Sequence, residues 1–87
     1  MKLVRCEKCK DIFLLRVQEE RSCLCGESKG QYYTDGVKAW YSGEYAVPLG
    51  IANSSLRKTI NNQPEDGLGE RFEAFVIPKN CSTFFKI

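Results

Sequence analysis

A chain of 87 residues with 43% apolar and 28% charged side chains has the composition of one folded domain, which excludes a disordered or membrane-like polypeptide. A formal charge of +2 is too small to give the net-positive footprint of a nucleic-acid binder. The absence of histidine removes the commonest general base and leaves sulfur or carboxylate as the only side-chain metal donors.

The first residues, "MKLVRCEKCK", lack the apolar stretch of a signal peptide. This points to a reducing cytoplasmic location, where thiols stay reduced or bind metal. Leu3–Arg5 and Ile12–Val17 read as a strand pair, with "QEER" at 18–21 as an exposed turn. Between the strands lies Cys6-Glu7-Lys8-Cys9, a C-x2-C pair, and after thirteen intervening residues comes Cys23-Leu24-Cys25, a C-x-C pair followed by Gly26. Two such pairs on tight turns at one end of a hairpin, with backbone amides facing the sulfurs, can complete a tetrahedron.

These residues resemble the zinc-ribbon family over roughly 3–30, through "CEKC" and "CLCG". The resemblance implies a structural Zn2+ held by Cys6, Cys9, Cys23 and Cys25. The C-x-C pair is one residue shorter than the usual form, so its turn must differ. Iron uses the same ligands, but the iron pattern usually carries Gly after both pairs, and Lys10 follows the first here. Paired disulfides fit poorly with an odd cysteine count. Four thiolates leave no open position for water, so the centre reads as structural rather than catalytic. They also leave two negative charges around a divalent cation, which cancels the formal +2. Residues 50–80 in turn resemble a group of small bacterial and phage proteins, a resemblance that implies no activity.

Gln31–Thr34 reads as a short aromatic strand, Asp35-Gly36 as a two-residue hairpin turn, and Val37–Tyr41 as the partner strand. Alternation sets Val37, Ala39 and Tyr41 against Lys38 and Trp40. Ser42-Gly43 turns the chain into "EYAVPLGI", where Pro48 predicts an edge strand or a strand ending at Val47. Asn53 or Ser54 can cap one helix through about Asn61, with Leu56 and Ile60 facing the core. Residues 61–69 read as a loop, Glu70–Ile77 as a strand and "STFFKI" as the last strand, with Cys81 a small hydrophobe beside it.

The fold class is therefore mostly β, a small α+β domain over 1–87. A ribbon hairpin within 1–30 packs on an antiparallel sheet of four or five strands from 31–87, with one short helix. No residue combination reads as catalytic: Glu65 and Asp66 are solvated, "GLG" opens no phosphate loop, and Cys81 has no base partner. Clustered aromatics between Tyr32 and Tyr45 point to a protein-binding module, a small adaptor or an inhibitor, and the resemblance to bacterial and phage proteins implies a host or defence protein as its partner. Lys38, Trp40 and Tyr41 are the candidate contact residues. A nucleic-acid-binding ribbon is the alternative, using Lys2, Arg5, Lys8, Lys10, Arg16 and Arg21, though acidic residues interrupt that run.

Overall fold

The computed structural model describes residues 1–87. Its strands follow the alternation of apolar side chains. In β1 (Lys2–Cys6), Val4 and Cys6 turn inward while Leu3 and Arg5 turn outward. β1 pairs antiparallel with β2 (Ile12–Leu14), and the expected strand over Ile12–Val17 stops three residues early. β1 lies along β6 (Ala46–Ile51) on its other side, and β6 along β7 (Ala74–Val76), so the first sheet runs β2-β1-β6-β7, all antiparallel. The second sheet runs β3-β4-β5-β8, from β3 (Arg21–Ser22), β4 (Lys29–Tyr32), β5 (Ala39–Ser42) and β8 (Phe84–Lys86).

The mostly-β class with one helix is as the sequence predicts, but the strands divide into two sheets rather than one. Hairpin β1–β2 belongs to the first sheet and hairpin β3–β4 to the second. The two cysteine pairs therefore sit on turns of different hairpins. The Asp35-Gly36 turn forms as read: Asp35 Oδ1 accepts the amides of Val37 and Lys38 at 2.9 and 3.0 Å, and Gly36 has φ +70°. The last strand, β8, pairs parallel with β5 rather than antiparallel.

Pro48 does not end or edge its strand. β6 is central, and Pro48 stands opposite Val4 in mid-strand. The reason is directional. In an antiparallel strand the N and C=O of one residue point to the same side. The Pro48 carbonyl accepts the Ile77 amide at 2.9 Å, so its missing N–H also faces β7, where that strand has already ended at Val76. Only a rung beyond β7 is lost, and none toward β1.

One buried cluster joins the sheets. Val4, Phe13, Leu15 and Ile77 come from the first side, and Ala39, Tyr41 and Phe84 from the second. The helix α1 (Asn53–Asn61) lies outside this cluster and buries no residue. Leu56 is only partly covered and Ile60 is 60% exposed, which corrects the expectation that both face the core. Neither Asn53 nor Ser54 caps it, since the cap position is Ala52 and carries no side-chain bond. The Ala52 amide is instead tied to the Glu73 carbonyl at 3.0 Å, and Ser55 Oγ accepts the Glu73 amide at 2.8 Å. The helix is thus strapped to the segment entering β7. Residues 70–73, read as strand, form none. No helix is long and apolar enough to cross a membrane.

Candidate metal centre

Three turns meet at one end of the molecule. The first follows β1: the Cys6 amide donates to the Asp11 carbonyl at 2.9 Å and the Lys10 amide to the Cys6 carbonyl at 2.7 Å. Lys10 closes it in the left-handed region, at φ +68°. The second turn follows β3, where the Cys23 amide donates to the Ser28 carbonyl at 2.9 Å and the Gly26 amide to the Cys23 carbonyl at 3.1 Å. Gly26, directly after Cys25, has φ +79°. The residue after each cysteine pair therefore takes the same left-handed conformation. Glycine does so without strain at one turn, and lysine takes glycine's usual place at the other.

The turns are tied to one another. The Leu24 amide donates to Asp11 Oδ2 at 3.2 Å, and Lys8 pairs with Glu27 at 3.4 Å. The third turn, between β5 and β6, supports both: the Tyr45 carbonyl accepts the Glu7 amide at 2.8 Å. Gly43, at φ +120°, lies so close to the Glu27 carbonyl that any Cβ there would collide with it. Gly43→Ala therefore adds backbone strain of about 1–3 kcal/mol to a clash with the turn that carries Cys23 and Cys25. We expect a lowered melting temperature together with weaker metal retention. An unchanged melt would show that the β5–β6 turn does not brace the centre.

The four thiols of Cys6, Cys9, Cys23 and Cys25 converge, with every pair of sulfurs within 4.8 Å. Cys25 Sγ lies 3.5 Å from Cys23 Sγ and 3.7 Å from Cys6 Sγ. A disulfide would need about 2.05 Å, and all five cysteines are free thiols. A regular tetrahedron of sulfurs around a cation at about 2.3 Å has an edge of about 3.8 Å. The spacing thus fits a four-thiolate site and not a pair of disulfides. The four cysteines expected to be ligands are the four brought together, and they could hold one metal ion.

The electrostatics favour a cation as well. Cys6 is lowered to about 6, first by the Ser28 hydroxyl and, against the cost of burial, by the amides of Cys9 and Lys8. Cys23 is also lowered: burial pushes it up, but the Ser28 amide, 3.3 Å from its sulfur, and the Cys25 and Cys9 thiols together bring it down. Cys25 goes the other way. The Glu27 amide favours its thiolate, but burial and the three neighbouring sulfurs push it up to about 12. Four thiolates cannot share this space unless positive charge enters it. Ser28 is the uncharged member of the arrangement. Its side chain is wholly buried, and Oγ has no hydrogen-bond partner of good geometry, so it acts on the Cys6 sulfur as a nearby dipole.

The other candidate residues lie elsewhere. Tyr41 is 2% exposed and packs edge-on against Phe84, so it belongs to the core and presents no contact surface. Trp40 and Lys38 point the other way, Trp40 partly covered and Lys38 exposed. Trp40 stands between Gln31 and Phe85 in register, and Phe85 makes an edge contact with Tyr33 at 6.4 Å. Cys81 lies outside the thiol cluster, its sulfur 3.5 Å from Thr83 Oγ1. From sequence, Lys10 reads only as a basic residue after the first pair, Gly43 only as a turn residue, and Ser28 carries no signal. Glycine after a serine gives a turn signal for Gly43, but nothing in the chain marks Lys10 as left-handed or Ser28 as buried.

Comparisons with protein-family models, with curated proteins and with solved structures found no match to this chain. They lend no support to the resemblance noted for residues 50–80.

Proposed function

We propose that the protein is a zinc-stabilised module that binds a protein partner. Zinc suits the donor set: four thiolates, no histidine and no carboxylate at the cluster, with tetrahedral spacing and no position left for water or substrate. Such a site stabilises the fold and leaves binding to the surface.

The outer face of the first sheet carries the partner reading. Alternation and register place Leu3, Leu14, Leu49, Ile51 and Val76 together there, with Ile12 opposite Arg5. Arg5 is the one charge within this set of strands' outward positions, and it pairs with Glu7 at 3.1 Å. A groove of about 400 Å³ runs among Leu3, Ile12, Leu49, Ile51, Ala74 and Val76. No element of the chain packs over it, and Val76 is 67% exposed. An apolar face of this breadth is a favoured site of protein association. Its inward counterpart is already used by the core.

The test is a pair of variants. Val76→Glu lies on an exposed edge strand and should leave stability within about 0.5 kcal/mol, yet abolish capture of a cross-linked partner. Trp40→Ala, on the outer face of the second sheet, should leave capture intact. The opposite pattern moves the contact to Trp40, and retention by both variants sinks the surface reading. Trp40, Phe85 and Tyr33 with Lys38 also favour a second reading, stacking of nucleic-acid bases. Submicromolar affinity for random-sequence nucleic acid would establish it, provided the salt slope corresponds to four or more contacts at about −0.9 each on duplex.

A further inference from the structure

The four cysteines are not equally exposed. Cys6 is 0% and Cys23 4% exposed, and Cys9 is partly covered, whereas Cys25 is exposed. It stands on the short C-x-C turn beside Leu24, which projects into solvent. The turn is open to solvent on this side: a Cβ at Gly26 would meet nothing within 4 Å. Oxidants reach the sulfur that combines thiolate character with exposure. Metal binding gives all four sulfurs thiolate character, so exposure makes the difference between them.

We propose that Cys25 is the oxidation site of the centre: hydrogen peroxide attacks there, Cys25 then closes a disulfide with Cys6, and the metal is released. The proposal rests on the metal-binding reading above. The Cys25 thiolate attacks one peroxide oxygen, the O–O bond breaks, and the departing hydroxide takes up a proton to give water. Cys25 is then a sulfenic acid. The Cys6 thiolate attacks that sulfur, the S–O bond breaks, and the second oxygen leaves as water after protonation. Two thiolates, one peroxide and two protons thus give one disulfide and two waters, the peroxide accepting the two electrons.

Geometry selects Cys6 as the second sulfur. It lies 3.7 Å from Cys25 on the neighbouring turn, so the pair must close by about 1.7 Å to reach disulfide length. Cys23 is nearer, at 3.5 Å, but only Leu24 separates it from Cys25 and its sulfur accepts the Ser28 amide. Removing two of four thiolates leaves the cation half-liganded, and it dissociates. Cys81 provides an internal contrast. It is partly accessible, but it stands outside the cluster, so its oxidation would not release the metal.

The metal-loaded protein, prepared without oxygen, would be titrated with hydrogen peroxide. Metal release would be followed with a chromogenic chelator, and cysteine products would be mapped by peptide mass spectrometry after dimedone trapping and alkylation. Release of about one metal per peroxide, with Cys25 as the first dimedone adduct and a Cys6–Cys25 linkage as the product, is the expected result. Cys81→Ser should release metal along the same curve, and dithiothreitol with added zinc should restore the loaded protein. Three results would overturn the proposal: metal retained while Cys81 alone is modified, a first linkage that omits Cys25, or release that follows sulfinic acid without any disulfide. Protein that purifies with reduced thiols and no metal would overturn the metal reading itself, before peroxide is added.

Discussion

Cys6→Ser should prevent stable folding of the protein, or lower its melting temperature by tens of degrees. Cys6 is fully buried at the end of β1 and is one of four sulfurs within 4.8 Å of each other. A serine hydroxyl in its place is a poor zinc ligand, so the substitution removes a corner of the tetrahedron. Structural zinc contributes on the order of 10–16 kcal/mol in small peptides, whereas a whole domain is stable by about 5–15 kcal/mol. A metal held by these sulfurs would therefore contribute as much as the total. Chelation should reproduce the effect in the unmodified protein. Acid should act in the same direction: each thiol that takes up a proton leaves the ligand set, so metal-linked stability is present at neutral to alkaline pH and is lost as pH falls. Cys81→Ser is the control, expected to cost about 1 kcal/mol as an ordinary substitution. Elemental analysis and thermal melts check all of this together. A metal-loaded Cys6→Ser protein melting with the wild type would refute it.

Phe84→Ala should be the most damaging substitution away from the cysteine cluster. Phe84 is fully buried, opposite Ala39 on β5, and meets the Tyr41 ring edge-on at 5.0 Å. Truncating a buried Phe costs about 3–5 kcal/mol, a large share of the stability of a domain this small. In a domain of this size each kcal/mol moves the melting temperature by roughly 4–8 °C, so a fall of roughly 12–40 °C follows in metal-loaded protein. Phe85→Ala, on the outward side of the same strand, should cost less than about 1 kcal/mol. Equal effects at the two positions would mean that β8 does not dock on β5 through Phe84. Deletion of β8 would then be nearly harmless, which is a second way to fail.

The approximate places of most strands and the ligand set were legible because both depend on local patterns, although β3 (Arg21–Ser22) does not read as a strand. Val4 and Cys6 alternate with Leu3 and Arg5, and that period of two marks a half-buried strand wherever the strand finally lies. Each closely spaced cysteine pair places two sulfurs on one tight turn, and that local pattern marks the four as a ligand set. Asp35-Gly36 closes its hairpin through its own carboxylate and its own positive φ.

The misread elements depended on distant partners. Pro48 is tolerated in a central strand because β7, whose strand ends at Val76, has stopped at that rung. Leu56 and Ile60 share one side of α1, but helical spacing cannot tell whether anything lies beneath that side, and no core residue does. Tyr41 and Trp40 looked alike as contact residues until the second sheet buried one and left the other outward.

What the sequence determined by itself is the β class, which residues of a strand share one side, and the identity of the four thiols. Short-range geometry suffices for each of these. The tertiary structure alone decided that the two cysteine turns belong to different sheets and that β8 joins β5 in parallel. It also left the aliphatic outer face of the first sheet uncovered. These features depend on pairings between residues far apart in the chain, such as Lys2 with Gly50 and Ala39 with Phe84. Alternation sets the side of a strand on which a residue lies, but it does not set which strand becomes its neighbour.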